Sequence, residues 1–457
     1  MHRIPFRSRK NKILNIAPAK VVVVSFLFLI FAGTILLSLP VASKDGTSIG
    51  IINALFTATS ATCVTGLVIV DTYNHWSLLG QIVILVLIQI GGLGLVTFAT
   101  FFSVLLGHKI GLKGVLIARE SLNYFSFQGI FKLIKRIVVV TLILETIGAL
   151  LLSIRFLPVY GLKGLYLSVF HSISAFCNAG FDLMGITGEN FSSLTNFKTD
   201  PLVLYTIMFL IVVGGLGFIV WKDLYEYIKN KSFLVHTKVV ILMTVFLIAF
   251  GTIIYFLFES GNSDTMGSMS LFEKINASLF HSITSRTAGF NILPVSDMSE
   301  ISKAVTVFLM FIGAAPGSTA GGIKITTFAV ILMAVVSIIK GSDKTLIMGK
   351  RIAEDIVNKS LSIIVLGLII IFSLTTAMLA FHNGSFLDFL YESASAFGTV
   401  GLSTGLTPTL GTASKVLIII TMFLGRVGPL TFAISLTLRN KKLDEKTVYP
   451  DGKIVVG

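Results

Sequence analysis

NALFTATSATCVTGL, residues 53–67, has three counterparts further along the chain: LSVFHSISAFCNAGF at 167–181, ASLFHSITSRTAGF at 277–290 and LYESASAFGTVGL at 390–402. Each contains a glycine just before its last residue. These glycines are Gly66, Gly180, Gly289 and Gly401. They recur with a period of about 110 residues along the length of the chain, which points to internal duplication. A second element recurs roughly 25 to 35 residues past each glycine, in keeping with that period. It reads GGLGL at 91–95, GGLGF at 214–218, GAAPG at 313–317 and GRVGP at 425–429. Two elements in one register make coincidence a poor explanation.

The surroundings of these stretches set the class. Of 457 residues, 54% are hydrophobic and 13% charged. That is far from the balance of a soluble domain. Val21 to Leu39 is an uninterrupted apolar run, long enough to cross the hydrocarbon core as a helix. It lacks a small-residue cleavage pattern and exceeds a signal-peptide core, so it is read as a retained span. Eight spans are expected, at about 20–40, 77–106, 137–157, 202–221, 238–258, 303–339, 360–381 and 415–438. The sixth is overlong and broken by glycine. With four short stretches between paired spans, the chain reads as an all-α polytopic membrane protein surrounded by membrane lipid. Its four span, pore-loop, span repeats surround a central pore, with eight spanning helices and four re-entrant half-helices. The units are 1–106, 107–228, 229–340 and 341–457.

Charge gives the topology. Residues 1–20, 107–136, 222–238, 340–359 and 439–457 hold 26 of the 36 Lys and Arg against 9 acidic residues, and the remaining loops hold 7 basic against 12 acidic. Basic loops stay cytoplasmic, so both chain ends face the cytoplasm of a plasma-membrane protein. The net charge of +14 is thereby explained without nucleic acid.

Physics assigns the quoted stretches a task. Each opens with about ten mildly amphipathic residues, enough for a half-helix, and ends in small residues and glycine. Irregular backbone at membrane depth survives only when buried in protein or lining water. Four copies around an axis would present rings of carbonyl oxygens that replace the hydration shell of a cation, with the half-helix carboxyl ends aimed at the same place. The GGLG elements admit either such a role or close helix packing. Cys63 and Cys177 read as small packing residues.

TCVTGL, FCNAGF, SRTAGF and FGTVGL, in this fourfold plan, resemble the superfamily of Trk, Ktr and HKT potassium transporters over essentially the whole chain. Length and loops are closest to the Ktr membrane subunit of the KtrB kind. The resemblance implies a potassium-binding selectivity filter built from Val64, Thr65 and Gly66, from Asn178, Ala179 and Gly180, from Thr287, Ala288 and Gly289, and from Thr399, Val400 and Gly401. Glycine at position 66, where sodium-passing plant relatives tend to carry serine, favours potassium as substrate, with sodium as a coupling or modulating ion. The resemblance further implies a homodimer with one pore per subunit and a cytoplasmic nucleotide-binding regulatory ring of the KtrA type, expected to face 107–136, 222–238 and 340–359. No cofactor is expected.

The run from Gly313 to Lys324 matches the family's intramembrane gate. Its residues Gly313, Ala314, Ala315, Pro316, Gly317, Ser318, Thr319, Ala320, Gly321 and Gly322 cannot continue a helix, and Lys324 follows them. Arg426, in the fourth unit, completes the gate as a charge barrier or as a brace for free carbonyls. Arg286 is expected to point behind the filter. Glu145, within the third span, is expected to pair with a basic residue of a neighbouring helix, which the sequence does not identify.

Other classes fare worse. The chain has no HExxH, no paired aspartates within spans and no elbow-type serine, so an intramembrane enzyme is disfavoured. It has no GxxxxGK[ST] run, so nucleotide control must come from a partner. Two transport alternatives stay open: a sodium or non-selective cation carrier, and the membrane subunit of an ATP-driven potassium pump.

Overall fold

A computed structural model describes residues 18–105, 114–116, 118 and 130–437. The basic segments 1–17 and 438–457 and most of 106–129 lie outside the described residues. The described chain is mostly helical. Four helices, Ala19–Ser38, Phe131–Tyr160, Val235–Glu259 and Glu354–Phe381, are long and apolar enough to cross a membrane. Each begins one of the four sequence units. Their outward faces carry large exposed apolar side chains such as Phe28, Phe31, Ile154, Val245 and Phe372, a surface suited to lipid tails.

The second helix of three of the units departs from expectation. Continuous spans at 77–106 and 202–221 are instead bent pairs: Leu78–Leu93 against Leu95–Phe101 by 88°, and Pro201–Gly215 against Phe218–Ile228 by 92°. If each bent pair counts as one span, length and composition support up to six. The third unit is interrupted as expected, with Glu300–Phe311 and Ile325–Ile339 flanking an irregular segment. The fourth breaks between Thr412–Val427 and Pro429–Thr437. The breaks fall at Gly94, Gly217 and Gly428, whose φ values are 83°, 88° and 92°, a region closed to ordinary side chains. Sequence reading found a break only in the third of these elements, whereas in each of the others a single glycine in the positive-φ region ends the helix.

Four short helices sit among these elements: Ile51–Cys63, Leu162–Phe176, Leu271–Thr284 and Phe386–Gly398. The longest has 15 residues, a rise of about 20 Å, too little to span the hydrocarbon core. Ser270 and Glu273 start the third with a reciprocal capping box, and the Ser385 hydroxyl caps the fourth at the Leu387 N–H. Their packing closes a circle. Leu78–Leu93 packs on the short helix of the second unit, Pro201–Gly215 on that of the third, Glu300–Phe311 on that of the fourth, and Thr412–Val427 back on that of the first. Polar contacts reinforce all four seams, with Tyr166 donating to Gln81 Oε1 at 3.2 Å and Tyr205 to Asn276 Oδ1 at 2.7 Å. Lys303 Nζ reaches Asp388 Oδ1 at 3.2 Å, and Lys415 Nζ donates to Asn53 Oδ1 at 3.1 Å.

Candidate functional site

All four short helices end in the same way. Two residues before each glycine stands a non-glycine residue in the left-handed region: Val64 (φ 58°), Asn178 (58°), Thr287 (71°) and Thr399 (51°). The glycines themselves follow at φ 89°, 69°, 80° and 93°. Thr65, Ala179, Ala288 and Val400 lie between them and are buried. Left-handed backbone costs a branched residue on the order of 1–3 kcal/mol, so this geometry is held by its surroundings.

A hydroxyl does part of that holding. Ser60 Oγ accepts from the Gly66 N–H at 3.1 Å and Ser395 Oγ from the Gly401 N–H at 3.1 Å. Ser174 Oγ donates to the Phe181 carbonyl at 2.6 Å and Thr284 Oγ1 to the Phe290 carbonyl at 2.7 Å. Sequence reading missed these four residues. They occupy one column of the quoted stretches, which was the signal available. The third loop has one residue fewer between hydroxyl and glycine, so Ala288 bonds back four residues to Thr284, where Ala179 bonds back five to Ser174.

The four loops meet in a ring. A Cβ on Gly66 would strike the Ala179 carbonyl oxygen and one on Gly180 the Ala288 oxygen, while Gly289 faces the Val400 oxygen and Gly401 the Thr65 oxygen. Each glycine thus abuts the next loop, and the fourth returns to the first. The twelve residues expected at the filter are therefore brought together. On the side reached by the residues after the glycines, all four glycines line a cavity of about 420 Å³. Asp71 and Asp182 line the same cavity.

The interrupted segment of the third unit lies on the other side. Its neck is closed by pairing of Ile312 with Ile323. Gly313 N–H donates to the Ile323 carbonyl at 2.8 Å, Ala315 N–H to Gly215 at 3.0 Å and Gly322 N–H to Gly425 at 3.3 Å. Ser318 Oγ bonds the Ala315 carbonyl at 2.7 Å, and Thr319 Oγ1 bonds the Phe176 carbonyl at the end of the second short helix at 3.1 Å. Gly321 approaches the Thr399 side chain so closely that a Cβ would collide with it. Lys324 Nζ turns back on the Ala320 and Gly321 carbonyls at 2.8 and 3.1 Å. Ala314, Pro316, Gly317 and Ala320 complete the stretch, with the Gly317 carbonyl accepting from the Phe218 N–H at 2.8 Å.

Arg426 joins this segment to the first unit. Its guanidinium donates to the Thr319 carbonyl and, through Nη2, to the carbonyls of Gly91 and Gly92 at 2.5 and 2.9 Å. Three carbonyls freed by broken helices thus share one charged donor, the geometry of a brace. Arg286 points away from the ring, with Nη1 3.5 Å from the Thr244 carbonyl. The partner of Glu145 is neutral: Gln89 Nε2 donates to its Oε2 at 3.2 Å. Cys63 and Cys177 are buried and free.

The first glycine of the GGLG element is a packing residue. Gly91, Gly214 and Gly425 lie against the carbonyls of Thr62, Phe176 and Phe397, leaving no room for a Cβ. Gly425→Ala is expected to destabilise the protein by about 1–3 kcal/mol, seen as a lower unfolding midpoint in detergent. Gly411→Ala, where a Cβ meets only His382 at ordinary distance, should leave the midpoint in place.

The sequence profile of one family, TrkH, described as cation transport protein, matches residues 3–446. The Ktr system potassium uptake protein B of Bacillus subtilis is 42% identical over 454 residues, covering 98% of this chain and 99% of the relative. The potassium/sodium uptake protein NtpJ of Enterococcus hirae is 37% identical over 97% of this chain and 98% of its own. Among solved structures, the potassium transporter TrkH from Vibrio parahaemolyticus superposes with a TM-score of 0.71 over 94% of this chain and 87% of that one, at 18% identity, a similarity of fold. These proteins are transporters and not enzymes, and the chain belongs to the TrkH family of cation transport proteins.

Proposed function

We propose that this chain takes up potassium across the plasma membrane through a pathway centred on the ring of Gly66, Gly180, Gly289 and Gly401. The carrying observation is the closed ring itself, in which each glycine abuts a carbonyl of the following loop. The carbonyls of Val64, Thr65, Asn178, Ala179, Thr287, Ala288, Thr399 and Val400, with those of the glycines, replace the hydration shell of the ion. Asp71 and Asp182 draw cations into the cavity at its mouth. On this reading the chain is four span, pore-loop, span units with boundaries at 106/107, 228/229 and 340/341, and both chain ends are cytoplasmic.

The relatives support the ion and suggest the assembly. The Bacillus relative is named as part of a Ktr system for potassium and the Enterococcus relative for potassium and sodium. We further infer, from the resemblance of its loop motifs to the Ktr transporters, that the chain works as a homodimer, uses sodium as a coupling or modulating ion, and answers to a cytoplasmic nucleotide-binding ring of the KtrA type. The hairpin Leu346–Ile347 and Lys350–Arg351 presents Lys344, Lys350 and Arg351 as an exposed basic surface for such a ring.

Purified chain in proteoliposomes is expected to pass rubidium down its gradient without ATP, and more slowly to pass sodium. Absence of cation flux with and without a nucleotide-binding ring would overturn the reading, and flux that requires ATP hydrolysis would make the chain a pump subunit. Charge reversal at Lys344, Lys350 and Arg351 together is expected to weaken co-purification with the ring.

A further inference from the structure

The quoted stretches align FTATS, FHSIS, FHSIT and YESAS, which puts Thr57, His171, His281 and Glu392 in one column. Among the described residues Thr57 bonds within its own helix, to the Asn53 carbonyl at 3.1 Å, and His281 lies 3.4 Å from Thr306 Oγ1. His171 Nε2 accepts once from beyond its filter loop, at the Leu183 N–H, 3.3 Å away. Glu392 does far more. Fully buried, its Oε1 accepts from Ser403 Oγ and from the Thr404 N–H at 3.1 Å, and its Oε2 accepts from Thr407 Oγ1 at 2.7 Å. Ser403 Oγ in turn accepts from the Gly405 N–H at 2.9 Å, which fixes the direction of its own proton toward the carboxylate.

Leu402, Ser403, Thr404 and Gly405 line the cavity over the ring immediately after Gly401. We propose that Glu392 is a positioning residue for cation selection: its carboxylate pins residues 403–407 and so sets the height and width of the fourth filter loop at the ring. The inference rests on the glycine ring being the filter. It gives that ring a built-in asymmetry, since the same column holds Thr57, His171 and His281 in the other three short helices and a carboxylate only in the fourth.

The experiment compares rubidium uptake and its inhibition by sodium in cells lacking other potassium importers, per transporter in the membrane. Glu392→Gln and Thr407→Val are each expected to raise the rubidium half-saturation and lower the rubidium-over-sodium preference by about fivefold, with maximal rate little changed. Glu259→Gln removes a comparable buried carboxylate, which holds Thr265 and Ser299 away from the cavity, and should not shift the preference. If Glu392→Gln does not reach the membrane, Thr407→Val decides alone. An unchanged preference in the assembled variants, or an equal shift in Glu259→Gln, overturns the inference. Gly66→Ser in the same assay separates the two readings: a shift there without one at Glu392 or Thr407 leaves the filter standing and removes the clamp.

Discussion

Gly289→Val is expected to abolish rubidium uptake while the protein still reaches the membrane. Three costs coincide at this position. The backbone sits at φ 80°, where a β-branched residue is strained by on the order of 1–3 kcal/mol. A Cβ would also run into the Val400 carbonyl oxygen, and it would lie 3.2 Å from the Gly180 Cα. The loop can relieve these clashes only by turning its carbonyls out of the ring, which removes ion ligands. Gly66→Ser is the milder probe because serine is smaller and not β-branched, although its Cβ would meet the Ala179 oxygen as closely as one at Gly289 would meet the Val400 oxygen. It is expected to keep uptake and to lower the preference for rubidium over sodium by about tenfold, measured by competition. Normal uptake in Gly289→Val with unchanged preference in Gly66→Ser would remove the ring from the permeation pathway.

Deleting Ala314 to Ala320 is expected to raise flux several-fold and to make it less dependent on a cytoplasmic ring. The segment lies on the side of the ring opposite the cavity, and it is fastened there by hydrogen bonds to Gly214, Gly215, Phe176 and Gly425 and by the Arg426 guanidinium. Arg426→Gln releases three carbonyls, and hydrogen bonds to a charged donor contribute about 1.5–3 kcal/mol each. Because Arg426 ties the segment to Gly91 and Gly92, its loss should both loosen the block and reduce the amount of assembled protein. A pure charge barrier would raise flux at unchanged protein level. Flux in the assembled deletion at or below the parent would show that another element limits permeation.

The glycine ring was legible in sequence because its requirement is local. A glycine is needed where left-handed backbone meets a neighbouring carbonyl, and four such glycines in register announce themselves. The break at Gly313–Gly322 was legible for a similar reason, since Pro316 and its neighbouring glycines leave no helical alternative. The sharp bends at Gly94 and Gly217 were not, because the glycines of GGLG in an apolar run can equally well continue as helix, as Gly91, Gly92, Gly214 and Gly215 do, and only tertiary packing decides which one breaks it. Partners across the fold were equally hidden. Nothing in spacing says that Glu145 meets Gln89, or that Arg426 reaches from the fourth unit back to Gly91 in the first. The hydroxyl column of Ser60, Ser174, Thr284 and Ser395 could have been found from the repeats alone, had they been compared position by position.

The ring closes within one polypeptide, and this frees it from a constraint that binds assemblies of identical subunits. There, any change at a vertex is made in every copy at once. Here one codon alters one vertex, so a graded series from a single altered corner to four can be built and its ion preference read step by step. The same freedom explains how Arg426 can exist. Its counterparts in the other units are Gly92, Gly215 and Ala314, and the guanidinium bonds to the first of them. Four guanidiniums converging at that depth would repel one another and crowd out the gate segment. A lone arginine at that level requires a pore whose quarters were allowed to diverge.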